Sequence, residues 1–171
     1  MKTTAEHFEM ANALAKEKLS SKVRGGDPNQ TGYHHAVRVS ERLTDPTLKV
    51  IGMLHDIIED SDVTHAQLEA TFGGRIANAV RALSKNKDAN EPVEDYLKRV
   101  TANVDALKVK IVDMEDNMVV RPGTIMGAHM QAKQQLYLEL HPRLLKALEP
   151  HQTASNANSL VEVESNKKEM C

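Results

Sequence analysis

The sequence predicts an all-α protein folded as a single helical bundle, and three observations carry that expectation. Apolar residues recur at three- and four-residue steps through most of the chain. Aromatic residues make up only 3% of it, with no Trp, so the core must be built from Leu, Val, Ile, Met and Ala, which pack well between helices. No strand-like alternation is long enough to trust. At 171 residues the chain suffices for one domain with a real core and is short for two. Its 40% hydrophobic and 27% charged residues are ordinary for a folded protein.

Taken in order, Phe8, Ala11, Leu14, Ala15 and Leu19 mark an amphipathic helix from Thr4 to about Val23. Gly25-Gly26-Asp27-Pro28-Asn29-Gln30-Thr31-Gly32 concentrates turn formers and reads as a loop. A second helix runs from near Tyr33 to Leu43 and stops before Asp45-Pro46, because the residue before a proline is pushed out of the helical region. A third spans Leu48 to about Glu59. Thr64 and Gln67 have the spacing of a capping box, and Gly73-Gly74 stops the short helix they begin. Arg75–Leu83 continues helically; Lys85–Glu91 is polar; Pro92 suits the first position of a helix from Val93 to Val100. Val104 to Val120 forms the next, ended by Arg121-Pro122-Gly123. Ala128 to Leu148 forms the last, bent or divided by Pro142. The domain is expected to occupy residues 1–149, and 150–171, which lose the periodicity, to be a flexible tail.

A formal charge of −2 and a pI near 6.4 give no broad basic field, which argues against nucleic acid and acidic membranes as partners and leaves a small anionic molecule bound by a local cluster. Cys171, the single cysteine, excludes a disulfide framework and a cysteine metal site, and fits a reducing cytoplasm. The first residues lack the apolar run of a signal peptide, and no stretch approaches the roughly 20 apolar residues of a membrane helix. The sequence leaves monomer or homodimer open.

Chemistry concentrates on the third helix. With roughly 100° between successive residues, His55, Asp56, Glu59 and Asp60 fall on one arc, opposite Val50, Ile51, Leu54, Ile57 and Ile58. A solvated acidic face explains this about as well as a site does. Yet imidazole plus carboxylate is a ligand set suited to Mn²⁺, Fe²⁺ or Zn²⁺. Further ligands must come from other helices, with His34 or His35 upstream and Asp113 or Asp116 downstream as candidates.

His35-Ala36-Val37-Arg38-Val39, then Leu54-His55-Asp56-Ile57-Ile58-Glu59-Asp60, then Lys110-Ile111-Val112-Asp113-Met114-Glu115-Asp116-Asn117-Met118, in this order, resemble the H…HD…D signature of the HD superfamily. The likeness is nearest to the hydrolase domains of RelA/SpoT proteins and to small alarmone hydrolases. Phe72-Gly73-Gly74 and Leu83-Ser84-Lys85 extend it, so that it covers about residues 20 to 140. The resemblance implies an HD-domain helical bundle with one divalent ion, Mn²⁺ with Zn²⁺ or Fe²⁺ as alternatives, held by His35, His55, Asp56 and Asp113. His35 is preferred to His34 because Arg38-Val39 then align. It makes Glu59 and Asp60 the catalytic pair that activates water. It makes Arg24, Asn117, Lys133 and Tyr137, with Lys85 or Lys87, the substrate contacts. It implies hydrolysis of the 3′-diphosphate of a (p)ppGpp-type nucleotide, with release of pyrophosphate; another HD nucleotidase or 3′-phosphatase is the alternative. A chain of this length has no room for a synthetase domain, so degradation without synthesis is expected.

Two departures stand out. Ala36 replaces the usual proline after the first histidine, and Met114-Glu115-Asp116 replaces Arg-Leu-His, making that edge more acidic than in the relatives. Among the remaining candidates, His7, His65, His129, His141 and His151 read as surface residues. Glu115 and Asp116 read as solvated helix residues within reach of a ligand's far side. Lys108 and Lys110 read as stems covering the edge of the core. Met118, Met126 and Met130 read as packing.

Overall fold

The N-terminal helix, α1 (Thr4–Leu19), begins at a capping box: the Thr3 hydroxyl accepts from Glu6 N–H, and the Glu6 carboxylate accepts from Thr3 N–H. The computed structural model describes residues 2–24, 27–85, 90–124 and 126–168, the side chains of 27–28 and 153–168 excepted. α1 buries Ala11, Ala15 and Leu19 and ends earlier than its sequence suggests. Val23–Arg24 (β1) instead pairs antiparallel with Asp27–Thr31 (β2), Val23 opposite Thr31 and Arg24 opposite Asp27. A two-residue strand is too short to show alternation, which is why the segment reads as helix end and loop. Gly25 and Gly26, the first two residues of that expected loop, lie outside the described residues.

Thr31 caps α2 (Gly32–Glu41). Asp45 caps α3 (Pro46–Leu54), its carboxylate accepting from Thr47 and Leu48 N–H, and Pro46 takes a first-turn position where its missing N–H costs nothing. α4 (Ile57–Asp60) follows after a break at His55-Asp56. Thr64 caps α5 (His65–Phe72) through the expected box with Gln67, and Gly73 turns the chain at φ 84° into α6 (Gly74–Leu83). That left-handed value is one that glycine adopts at no steric cost. α7 (Val93–Thr101) and α8 (Val104–Met118) lie close to their expected bounds.

The last helix, α9 (Ala128–Lys168), differs more. Pro142 neither ends nor divides it. Proline removes one hydrogen bond from a helix interior, but Tyr137, Leu140, Leu144 and Leu148 anchor both sides of Pro142 in the same apolar cluster. Leu148 is the last buried residue among those described. Beyond it the helical backbone runs on to Lys168, through the segment that reads as a flexible tail.

Two apolar clusters form the core. One joins residues of α1 to α6, among them Val39, Ile51, Leu54, Ile57, Phe72 and Val80, with Ala106 and Val109 of α8. The other joins Tyr96, Leu97 and Val100 of α7, Leu107, Ile111 and Met114 of α8, and the inner face of α9. α8 runs between them and belongs to both. Among the described residues no helix is long and apolar enough to cross a membrane.

Candidate active site

The break between α3 and α4 falls at the histidine-aspartate pair. The His55 ring bonds the Gly52 carbonyl through Nδ1 at 2.7 Å, the acceptor that a continuous helix would offer to Asp56 N–H, and Asp56 sits at φ −94°, ψ −2°. The unbroken helix expected over Leu48–Glu59 is therefore two helices with the site at their junction. Gly52 also lets α2 and α3 approach closely: a Cβ there would lie 2.8 Å from Leu43 Cδ1 and 3.3 Å from Ser40 Cα. This approach brings His35, on α2, beside His55.

The two rings meet with Nε2 atoms 3.2 Å apart. Asp113 Oδ1, from α8, lies 2.8 Å from His35 Nε2 and 3.5 Å from His55 Nε2, and Asp56 Oδ2 lies 3.3 Å from His55 Nε2. His35, His55 and Asp113 are buried. Each ring spends its Nδ1 proton elsewhere, His55 on Gly52 O and His35 on Asp116 Oδ2 at 2.7 Å. With Nδ1 engaged, each ring turns its Nε2 toward the other ring and toward two carboxylates. Two imidazole nitrogens and two carboxylate oxygens converging on one point fit a cation, and nitrogen with carboxylate oxygen fits a divalent one. His35, His55 and Asp56 offer ligand atoms all within 4.8 Å of one another. The carboxylates favour a positive charge at this point. Burial opposes charge on His55, yet Asp56 and Asp113 push it up to about 10. Burial also opposes charge on Asp56 and Asp113, but His55 and Arg24 hold the first well below the usual carboxylate range, and Lys110 and the histidines hold the second there.

Around this cluster a cavity of about 470 Å³ collects every substrate and catalytic residue expected from the sequence and described here: Arg24, Glu59, Asp60, Lys85, Asn117, Lys133 and Tyr137. Lys87 lies outside the described residues. Glu59 and Asp60 come from α4, and the Glu59 carboxylate accepts from Lys85 N–H at 3.0 Å. Arg24, carried by β1, donates to Asp56 Oδ2 at 2.9 Å and to Asn117 Oδ1 at 2.8 Å; Asn117 donates to Asp113 Oδ1 at 2.6 Å. Lys85 lies over the Tyr96 ring at 5.1 Å and Lys133 over the Tyr137 ring at 5.5 Å. Burial and a neighbouring cation lower both lysines, Lys110 acting on Lys85 and Arg24 on Lys133. Cations crowded in this way are relieved by an anion in the cavity.

Several residues at the site escape sequence reasoning. Asp116 is buried rather than solvated, and accepts from His35, Arg38 and Arg121. Lys110 donates to Asp113 Oδ2 at 2.7 Å and lies over Tyr96 rather than along the edge of the core. Met130 and the exposed His129 line the cavity. The signal was present in the spacing: Arg38 lies three residues after His35, and Lys110 and Asp116 lie three to either side of Asp113, so each shares a face with a candidate ligand. Glu115 sits further out, against Arg42 and His141.

A helical bundle that gathers two histidines and two aspartates at a helix break has the architecture of an HD-type domain. Comparison with known proteins supports that class. The chain is 27% identical over 124 residues to a guanosine-3′,5′-bis(diphosphate) 3′-pyrophosphohydrolase of Aquifex aeolicus, covering 67% of this chain and 17% of that protein. It is 26% identical over 102 residues to the guanosine-3′,5′-bis(diphosphate) 3′-pyrophosphohydrolase MESH1 of Drosophila melanogaster, covering 56% and 57%. It is 31% identical over 122 residues to the GTP pyrophosphokinase rsh of Brucella ovis, covering 63% and 16%. The chain thus matches about a sixth of the two long bacterial relatives and just over half of the fly protein. A solved structure described as a metazoan ortholog of SpoT that hydrolyzes ppGpp shares the fold, with a TM-score of 0.62 at 18% identity, covering 88% of this chain and 98% of that one. No protein-family model matches. The resemblance read from the motifs is borne out, both in the homologues and in the all-α fold.

Proposed function

We propose that this chain hydrolyses the 3′-diphosphate of a (p)ppGpp-type nucleotide, with guanosine or adenosine as the nucleoside, releasing pyrophosphate, and that His35, His55, Asp56 and Asp113 hold one Mn²⁺. The observation that carries this reading is the joining, in one cavity, of the His/Asp cluster, the Glu59-Asp60 pair and the cations Arg24, Lys85 and Lys133. A bound divalent ion supplies Lewis acidity, polarising a phosphoryl oxygen and making water a stronger acid. Glu59 and Asp60, on the helix after the HD pair, accept the proton that water loses. The water oxygen bonds to the phosphorus next to O3′, the P–O3′ bond breaks, and O3′ leaves with a proton as pyrophosphate departs. Lys85 and Lys133 hold the diphosphate as point charges. Asn117 and Arg24, already joined to each other and to the cluster, hold the nucleoside side of the cavity. Tyr137 gives Lys133 its aromatic floor.

The test is incubation of the purified protein with ppGpp, ppApp, 3′-AMP, dAMP and NADPH, with Mn²⁺ or with EDTA, and separation of products by anion exchange. Manganese-dependent release of pyrophosphate from ppGpp or ppApp is expected. Cleavage of the monophosphates alone would move the function to a nucleotidase, and no manganese-dependent cleavage of any substrate would overturn the reading.

A further inference from the structure

Asp116 is closely partnered beside the site, and the chemistry proposed above assigns it no part. Its Oδ2 accepts from His35 Nδ1 at 2.7 Å and from Arg38 Nη2 at 3.1 Å. Its Oδ1 accepts from Arg38 Nε at 3.1 Å and from Arg121 Nη2 at 2.5 Å, while Arg121 Nη1 donates to the Asp116 backbone carbonyl at 2.9 Å. The side chain is 4% exposed. We infer that Asp116 is a positioning residue for the ion site: it fixes the orientation and tautomer of His35, so that Nε2 and not Nδ1 faces the centre. This rests on the metal reading given above.

The two histidines are held by unlike means. His55 is steadied by a carbonyl three residues back in its own helix. His35 has no such local partner; its Nδ1 is met by a carboxylate 81 positions along the chain, on α8. A carboxylate can only accept here, so His35 must donate from Nδ1, and in the neutral ring that leaves Nε2, beside Asp113, as the nitrogen an ion would take. Donors on both oxygens keep the carboxylate from rotating away. A carboxylate behind an imidazole also makes the ring a better electron donor to an ion, a relation that commonly contributes 10- to 100-fold in metal affinity. The acidic departure at Met114-Glu115-Asp116 then acts on the ligand sphere and not on the open edge of the cavity. An asparagine at 116 would disturb this with almost no change in volume. Its amide N–H₂ would face either the His35 Nδ1–H or the two guanidiniums, donor against donor, and the ring would lose its single solution.

The experiment compares the wild type with Asp116→Asn in the full chain, titrating Mn²⁺ calorimetrically and Co²⁺ by visible absorption, with melting temperature in EDTA as the control. The expected result is binding weaker by about 10- to 100-fold in the variant, together with an altered Co²⁺ spectrum. Unchanged affinity and spectrum, with a melting temperature lowered in EDTA, would make Asp116 a structural ion-pair partner and overturn the inference. A second readout needs no folded variant at this position. In ¹⁵N-histidine NMR of the Zn²⁺-loaded wild type, with His35 assigned by the signal lost in His35→Gln, an Nδ1–H tautomer supports the inference and an Nε2–H tautomer overturns it. A wild type that binds neither Mn²⁺ nor Co²⁺ overturns the metal reading and this inference with it, whereas a wild type that binds and a variant that binds equally well overturns this inference alone.

Discussion

The two sides of the cavity are built differently. The cluster side, with His35, His55, Asp56, Glu59 and Asp60, is set on α2 to α4, which pack into the first apolar cluster; its key rings are buried and each is fixed by a hydrogen bond at Nδ1. The basic side, with Lys133 and Tyr137, rides on α9 in the second cluster, and its lysine is fixed chiefly by an aromatic floor. The first side is arranged to hold a charge in one place. The second offers charge to whatever arrives. Chemistry is therefore expected to fail when the first is altered, and binding to weaken when the second is.

The largest effect expected from this contrast is at α4. Glu59→Gln with Asp60→Asn should lower kcat by about 10²- to 10⁴-fold while leaving Mn²⁺ affinity and melting temperature near wild type, read by steady-state kinetics and calorimetry. Retained turnover would remove the pair from proton transfer. Next comes linkage. Because the ligands join α2, the α3–α4 junction and α8, Mn²⁺ at a hundred times its Kd should stabilise the fold by about 2.7 kcal/mol, raising Tm by roughly 5–10 °C over EDTA in a thermal scan. An identical Tm in both conditions would break the assignment of that side. Smallest is the basic side. Lys133→Ala should raise KM about tenfold, the loss of one charge-assisted contact, with Mn²⁺ affinity unchanged. A fall in kcat at constant KM would erase the distinction between the two sides.

The same contrast governs what the sequence reveals. His55-Asp56 and Glu59-Asp60 are legible because they are neighbours on an otherwise apolar helix, and His35 and Asp113 because a spaced motif points to them. The cap at Thr64 and most helix bounds are legible for the same local reason. What stays hidden depends on distant partners. Asp116 reads as a solvated helix residue, and its burial follows from His35 and Arg38 arriving from α2, joined by Arg121 just past the end of α8. Lys110 reads as a surface stem until Asp113 and Tyr96 enclose it. The helix break at Asp56 is invisible to periodicity because both halves keep the apolar arc, and the β1–β2 hairpin because two residues cannot show a period.

One helix runs between both sides, and that makes it a gauge. Lys110, Asp113 and Asn117 follow one another along α8 at steps of three and four residues, so they form a single strip. At roughly 1.5 Å per residue, Lys110 and Asn117 stand about 10 Å apart along the axis with Asp113 between them. A molecule touching both ends while presenting its reacting bond in the middle is being measured for length as well as for charge, and a rigid rod packed into two cores is a gauge that does not stretch.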